Sequence, residues 1–403
     1  MKNTFFLFMA LFLPLCAFTQ SGTKSYFYMK PVGLQIPAFD SKGYNPLFPE
    51  SVTNLADQNP AALSDFKSMQ TGISWRIFSK LETDIRVKEF GQTQPFIPAS
   101  AGFVFPVNSF VFALGYVQKF NFALVSEKIP ISTLEYPEGT GEFFTWEEKT
   151  VHHYFSLSGA WKIENILFAS DQFSAGVQLG FNQLYFHEKV FSETAESFSN
   201  GWSWAAGLQY VINFDNEYKI KSGLFFEKGS KIDATVKYVS GQDENKQFDD
   251  DTTGNNGKIP VRYLTPKSWP MIADFPDRLH GGLELTTPEN FSFSLQGSYI
   301  WMDQTWIAYK NQFNVAGNVG IPITENLRVT GGFYSDTQND NYSEFYYKIF
   351  KVKSSGYRSF FLTAGVNFVW QNITIDLALA DNHLSSGKYR TQTHLKAGVN
   401  YTF

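Results

Sequence analysis

The sequence predicts an all-β protein: a 14-stranded antiparallel transmembrane β-barrel with an N-terminal plug or hatch segment. Three observations predict this fold: an aromatic-rich composition, apolar and polar residues that alternate with a period of two, and connections that alternate between short and long. Of 403 residues, 42 are Phe, 20 are Tyr and 9 are Trp, yet the mean hydropathy is only −0.22. This combination is typical of barrels whose strands face lipid on one side and water on the other, with aromatic girdles at the two interfaces.

The first 19 residues have the pattern of a secretory signal peptide. Lys2 provides the positive charge, Phe5–Leu15 forms a short apolar region, and Ala17 and Thr19 are small residues before a cleavage site. The apolar region is too short for a membrane-spanning helix, which needs about 20 apolar residues. We therefore expect a signal peptide at 1–19 and export from the cytoplasm.

Cys16 is the only cysteine, and it lies within the predicted signal peptide. The mature chain would then have no disulfide and no thiolate metal site. A lipoprotein anchored through Cys16 is a less favoured alternative, because the residue before it is the large Leu15 rather than a small one. The net charge of −5 argues against a nucleic-acid-binding surface.

The C-terminal residues show the alternation most clearly. Apolar side chains occupy every second position there, at Leu395, Ala397, Val399, Tyr401 and Phe403, and mostly polar residues lie between them. The segments 291–301 and 373–379 have the same pattern. Since successive side chains of a strand point to opposite faces, each segment predicts a strand with one apolar and one polar face. A terminal aromatic residue on an amphipathic strand also resembles the insertion signal of outer-membrane barrels, so we assign that role to Tyr401 and Phe403.

Short turns and long polar loops alternate along residues 71–403, as they do between the two ends of an outer-membrane barrel. From these connections we place fourteen strands at 71–79, 99–106, 109–122, 151–163, 170–187, 199–214, 217–239, 278–287, 290–303, 310–322, 326–336, 356–370, 372–382 and 391–403. An even number of strands puts both ends of the barrel domain on the periplasmic side.

The segment 20–70 differs from the rest of the chain. It has no sustained alternation and contains five prolines, at Pro31, Pro37, Pro46, Pro49 and Pro60. Backbone without regular hydrogen bonds cannot face lipid. We therefore expect this segment either inside the barrel as a hatch or in the periplasm.

Three motifs resemble the FadL/TodX family of hydrophobic-compound transporters. Asp57–Leu63 contains Asn59-Pro60-Ala61, which resembles the Asn-Pro-Ala hatch motif of that family. Pro98–Asn108 is similar to its second strand and first periplasmic turn, and Asp277–Leu283 to its eighth strand. The resemblance implies an outer-membrane barrel closed by a hatch, in which hydrophobic ligands reach a lumenal pocket and leave sideways beside a kinked third strand. A glutamine beside the predicted cleavage site suggests a Bacteroidota variant of the family.

Basic residues at inward positions are candidates for contact with a ligand carboxylate, but they could equally be buried partners of lumenal acids. These candidates are Arg76, Lys119, Lys237, Arg328 and Lys396. The aromatic, proline-containing stretch 269–275 is expected to lie in the fourth external loop, where an exposed apolar surface could meet a partner protein. The candidate partner contacts there are Trp269, Met271 and Phe275.

The sequence predicts no enzyme activity, no cofactor and no metal site. The six histidines have no metal-ligand spacing, and the acidic run at Asp249–Asp251 lacks the closing Glu of a calcium loop. Serine and histidine at inward positions are expected in any polar lumen and do not by themselves indicate a catalytic site.

The favoured function is a passive channel for hydrophobic or amphipathic small molecules. The alternative is a structural or docking subunit of an outer-membrane complex, such as a secretion or barrel-assembly machine of Bacteroidota, with other barrels or lipoproteins as partners.

Overall fold

The computed structural model describes residues 39–82, 87–91, 97–126, 128–130, 141, 143–168, 170–190, 193–240, 247–249, 258–260, 268–301, 311–338, 357–386 and 391–403. The predicted signal peptide and the first residues of the predicted hatch lie outside these ranges. None of the helices among the described residues has the length and the apolar run needed to cross a bilayer.

Fourteen antiparallel strands form a closed barrel, as the sequence predicts. We number them β1 to β14, and three of them consist of two segments. They are β1 Gln70–Glu82, β2 Val87–Gly91 with Ser100–Val107, β3 Phe110–Ser126, β4 Trp146–Glu164, β5 Asp171–Val190, β6 Glu193–Asn213, β7 Lys219–Lys228 with Lys231–Ser240, β8 Ser268–Asp274 with Arg278–Thr286, β9 Ser292–Ile300, β10 Gln312–Thr324, β11 Leu327–Gln338, β12 Tyr357–Trp370, β13 Ile373–Asp381 and β14 Thr391–Thr402. Each strand pairs with the next, and β14 pairs with β1 to close the barrel.

The two faces of the strands differ as the alternation predicts. On β13, Leu377 is 44% exposed while its neighbour Asp376 is 5% exposed. The outward positions of the barrel carry a band of exposed apolar side chains, such as Phe112, Leu114, Leu157, Val177 and Leu179. The inward positions carry buried polar residues, such as Gln178, Gln209, Asn318 and Asn400. An apolar outer band around a polar interior is the surface of a membrane-spanning barrel.

The two ends of the barrel differ in their connections. Short turns join the strands at the end where the C-terminus lies, which we call the turn end, and the opposite end is the loop end. At the turn end the Phe403 N–H donates to the Met69 carbonyl over 3.0 Å, so the last residue is tied to the start of β1. Its ring is 63% exposed and lies 5.0 Å from the Tyr401 ring.

Several strands extend farther toward the loop end than the sequence predicts. β4 begins at Trp146 rather than 151. β5 and β6 pair as far as Val190 and Glu193, so the predicted third loop, Glu188–Phe198, is almost entirely strand. Outside the apolar band, an outward side chain does not face lipid and need not be apolar. The hydrogen-bonded pairing of the strands therefore continues past the point where the alternation of apolar and polar residues ends.

The expected loop position of Trp269, Met271 and Phe275 is wrong. Ser268–Asp274 is the loop-end half of β8 and pairs with Lys231–Lys237 of β7. Pro270 lies inside this segment, and a proline interrupts the donor pattern from which a strand is normally predicted. Phe275 follows directly, at the break between the two halves of β8.

Candidate functional site

The residues from Phe39 to Phe66, which we call the hatch, lie inside the barrel. They form a hairpin of two-residue strands, Phe39–Asp40 and Gly43–Tyr44. Two short 3₁₀ helices follow, Val52–Asp57 and Pro60–Asp65. Nearly all of these residues are buried. The hatch contacts the barrel strands toward their turn ends, so it fills that half of the lumen.

Glycines of the wall allow the hatch backbone to approach closely. A Cβ atom at Gly102 of β2 would lie 1.8 Å from the Val52 carbonyl oxygen, and one at Gly176 of β5 would lie 2.4 Å from the Ala61 nitrogen. No side chain fits at such distances, so only glycine permits this seating.

The Asn59-Pro60-Ala61 motif fixes the second 3₁₀ helix of the hatch. The Asn59 Oδ1 atom accepts a hydrogen bond from the Ala61 N–H at 3.0 Å, and its Nδ2 donates to the Leu208 carbonyl of β6 at 3.2 Å. Pro60 occupies the first helical position, where its missing N–H costs nothing. The tripeptide therefore caps the helix and attaches it to the barrel wall.

Ion pairs connect the hatch to the wall around the lumen. Lys221 of β7 lies 2.7 Å from Asp65 of the hatch, and hatch Lys42 lies 3.1 Å from Glu284 of β8. Nearer the turn end, Arg328 of β11 lies 3.1 Å from hatch Glu50. Pairing satisfies charges that would otherwise be costly to bury, so these contacts hold the hatch in one position.

On the loop-end side of the hatch lies a small lumenal cleft. Most of its lining residues are polar or charged, and the full set is Asp57, Lys119, His152, Asn182, Ser203, Glu227, Lys228, Gly229, Ser230, Phe275, Pro276 and Arg278. The breaks within β7 and β8 border it. There the Gly229 N–H donates to Asp277 Oδ1 at 2.8 Å, which replaces ladder bonds lost at the break.

Lys119 is the central charge of the lumenal cleft. The pairing register of β3 with β4 shifts between Gln118 and Phe120, so Lys119 lies at a bulge, and its side chain is on the inner face. Its Nζ lies 3.3 Å from Asp57 of the hatch and also pairs with Glu227 of β7. Lys119 thus links three separate parts of the chain.

The structure places the other predicted lumenal cations in different surroundings. Arg328 is paired with Glu50 at the turn end. Lys396 is buried and donates to Asn54 Oδ1 and to the Phe39 carbonyl, while Arg76 is buried directly opposite it on β1. Lys237 lies in β7 opposite Glu196 of β6, and its side chain lies outside the described part of the structure.

Of the three predicted partner contacts, only the Phe275 side chain is described. Its ring lies 4.7 Å from that of His152, and it lines the lumenal cleft. It therefore faces the interior of the barrel. The side chains of Trp269 and Met271 lie outside the described ranges.

Sequence reasoning missed the acids that pair with these cations. Glu227 and Glu284 lie at inward positions of β7 and β8, as Lys221 does. The alternation could have identified these two acids. Glu227, for example, lies an even number of positions after Lys221 in the same strand, so both side chains are on one face. The partners on the hatch could not be found in this way, because the hatch has no regular period.

Asp40 of the hatch makes the stability of the folded protein depend on pH. It is 5% exposed, and its Oδ1 accepts from the Lys42 N–H at 2.8 Å. Desolvation, followed by repulsion from Asp376, raises the pKa of Asp40 from 3.8 to about 6. Its contribution to stability is therefore fully present below about pH 3.8 and lost as the pH rises through about 6, because the folded state favours the protonated form.

Asp40→Asn is therefore expected to stabilise the barrel at pH 7.5 by up to about 3 kcal/mol, the equivalent of about two pKa units, and to have little effect near pH 4. Denaturant unfolding at the two pH values measures this. Glu50→Gln is the control of opposite sign. Partial loss of hydration would raise the pKa of Glu50, whose side chain is 44% exposed, but Lys42 and Arg328 outweigh this effect and lower the pKa to about 2. This variant should therefore lose stability at pH 7.5. An Asp40→Asn variant with the same pH dependence as the wild type would contradict the assignment.

Fold and lumen together define a class: closed fourteen-stranded barrels whose lumen holds an N-terminal hatch. Several solved structures have a fold similar to that of this chain. The toluene transporter TbuX of Ralstonia pickettii matches with a TM-score of 0.56 and 11% identity over 92% of this chain and 99% of its own. The toluene transporter TodX of Pseudomonas putida matches with a TM-score of 0.54 and 12% identity over 95% of this chain and 99% of its own. A FadL homologue of Pseudomonas aeruginosa matches with a TM-score of 0.55 and 13% identity over 92% of this chain and 100% of its own.

The TM-scores show a shared fold, and at 11–13% identity the likeness shows the fold alone. No protein-family model matches the sequence, and no curated protein is significantly similar to it. The comparisons give no support to the expectation of a Bacteroidota variant.

Proposed function

We propose that this protein is a passive channel of the outer membrane for hydrophobic or amphipathic small molecules. The observation that carries the proposal is the lumen itself. The hatch fills its turn-end half, and the lumenal cleft lies directly against the hatch. A filled lumen restricts free diffusion of water-soluble solutes, whereas a cleft beside the barrel wall can hold a small molecule.

The fold similarity supports the same proposal. The similar structures described above are named as toluene transporters and as a FadL homologue. Apolar compounds need such a route because the polar lipopolysaccharide leaflet slows their direct entry.

The wall beside the lumenal cleft has an interrupted ladder. β6 pairs with β7 through Trp204–Asn213 and again through Glu193–Glu196, and no pairing with β7 is described for the stretch between them, 197–203. Ser203, Gly229 and Ser230 border both this interruption and the cleft. A ligand in the cleft thus lies close to a weak part of the wall, through which an apolar molecule could pass into lipid.

The test is uptake by Gram-negative cells that lack their own channel for hydrophobic compounds. Expression of this protein is expected to raise the initial uptake rate of labelled toluene or decanoate, and to leave that of a sugar of similar mass unchanged. Equal uptake rates with and without the protein would refute the proposal. Increased sugar uptake would indicate a general pore instead.

The docking alternative is not favoured, since the described partner candidate Phe275 faces the lumenal cleft. Purification in mild detergent tests it separately. Other barrels or lipoproteins recovered in stoichiometric amounts would support docking, whereas the channel proposal predicts a protein that purifies alone.

A further inference from the structure

One short turn at the turn end differs in chemistry from the others. The turn between β4 and β5 carries three apolar side chains in succession, Ile166, Leu167 and Phe168, and all three are exposed, Leu167 to 71%. Turns that face water are normally polar. The other short turns that the structure describes at this end follow that rule, with exposed polar tips at Asn108-Ser109, Asp215-Asn216, Glu289-Asn290, Glu325-Asn326 and Gln371-Asn372. Three adjacent apolar residues at a tip therefore call for a neighbour other than water.

The β4–β5 turn is folded over the outer face of the barrel. Asp171, the first residue of β5, lies on the same strand face as Val177 of the apolar band. Its carboxylate accepts hydrogen bonds from three successive N–H groups of the turn, those of Ile166 at 2.6 Å, Leu167 at 2.8 Å and Phe168 at 3.2 Å. Because these groups converge on an outward side chain, the backbone of the turn lies on the outer side of the wall. It covers Asp171, which is only 2% exposed.

The polar groups around the turn are bonded to one another. A fourth hydrogen bond to the Asp171 carboxylate comes from the Tyr210 hydroxyl of β6 at 2.6 Å. Asn213 Nδ2 donates to the Ser170 carbonyl at 3.0 Å, and the Ser170 hydroxyl donates to the Asn213 carbonyl. The polar groups thus point toward the wall while the apolar side chains point away from it. Internal satisfaction of backbone and charge is what a lipid environment requires.

The surroundings of the turn favour lipid over a soluble protein as its neighbour. On the adjacent outward positions, Leu208 of β6 belongs to the exposed apolar band, and Phe214 follows directly after Asn213 with an exposed ring. Tyr218, at the start of β7, is exposed on the same side. Aromatic residues concentrate where a bilayer meets water. The apolar tip is therefore continuous with the lipid-facing surface, and it carries no charge that a partner protein could recognise.

We propose that the β4–β5 turn is a membrane anchor, which inserts Ile166, Leu167 and Phe168 into the phospholipid leaflet at the turn end of the barrel. Asp171 holds the turn against the outer wall in the shape that insertion needs. The anchor does not depend on what passes through the lumen, so it can be tested separately from the channel.

The test is the depth of a nitroxide spin label on the mature protein in vesicles of phosphatidylethanolamine and phosphatidylglycerol. The only cysteine, Cys16, lies in the predicted signal peptide, so Leu167→Cys provides a single labelling site. This label is expected to collide more often with molecular oxygen, which concentrates in the bilayer, than with a water-soluble nickel chelate. Leu208→Cys is the reference for a lipid-facing label and should show the same order. The matched control is Glu325→Cys, at the polar tip of another turn of the same end, and it should show the reverse order.

Two outcomes would overturn the anchor. If the label at position 167 meets the nickel chelate as often as the label at position 325 does, the turn lies in water, where a soluble partner could bind it. If the label meets neither reagent and shows spin–spin broadening that disappears on dilution with unlabelled protein, the turn is a contact between two copies of the chain.

The role of Asp171 has its own test in the labelled Leu167→Cys protein. Asp171→Ala leaves three N–H groups of the turn without their acceptor, so the label is expected to lose its preference for oxygen and move toward water. If this variant does not fold, Asp171→Asn replaces one acceptor oxygen by a donor, and the label should again move toward water. An unchanged depth in the variant that folds would refute the holding role of Asp171.

Discussion

Lys119→Met is expected to lower the free energy of unfolding by about 3–5 kcal/mol, the range for removing one partner of a buried ion pair. Lys119, Asp57 and Glu227 are each less than one-fifth exposed, so water screens them little. Arg278 stays 3.8 Å from Glu227 after the change, so most of the cost is expected to fall on Asp57. Urea unfolding of the refolded barrel in detergent measures the effect.

Two further variants make this result specific. Lys162→Met removes a lysine whose partner Glu164 is 59% exposed, and it should cost no more than about 1 kcal/mol. Adding Asp57→Asn to Lys119→Met removes the unpaired acid and should recover part of the lost stability. If Lys119→Met costs no more than Lys162→Met, then Lys119 does not hold the hatch to the wall.

Gly102→Val is expected to displace the hatch from its seat. A Cβ atom at this position would lie 1.8 Å from the Val52 carbonyl oxygen, and because both atoms are close to rigid backbone the overlap cannot be relieved locally. Overpacking of this kind costs roughly 1–3 kcal/mol. The larger consequence is functional, because a hatch that no longer fits the wall leaves a path for water. Planar-bilayer recordings should show frequent ion-conducting openings that are rare in the wild type, and cells should become sensitive to large hydrophilic antibiotics.

Gly331→Val is the matched control for this substitution. Gly331 also lies in a barrel strand, but a Cβ atom there would meet nothing within 4 Å. The Gly331→Val variant should show as few ion-conducting openings as the wild type, and cells that carry it should be no more sensitive to large hydrophilic antibiotics. If both variants behave alike, contact between hatch and wall at Gly102 does not close the lumen.

The barrel could be predicted from the sequence because lipid imposes a strict rule on its strands. Leu377 and Asp376 face lipid and lumen, respectively, and a change of one position would reverse them, so the alternation is preserved wherever lipid surrounds the strand. Beyond the lipid the rule no longer applies. This is why the paired residues from Glu188 to Phe198 were predicted as a loop, and why the strand through Trp269 was missed.

The candidate site was only partly predictable for a related reason. Alternation identified Arg76 and Lys119 as inward cations, but it could not decide which of them has a counter-charge. That depends on the path of the hatch, whose residues Asp57 and Asp65 meet cations more than 60 positions away in sequence. Asn59-Pro60-Ala61 could be recognised because capping and a proline at the first helical position are local requirements.

The most direct test of the account is an experimental structure of the protein with a bromine-labelled amphiphile such as 11-bromoundecanoate. We expect anomalous bromine density inside the barrel on the loop-end side of the hatch, with the hatch in contact with Gly102 and Gly176. Bromine density confined to the outer apolar band, or a lumen without the hatch, would contradict it.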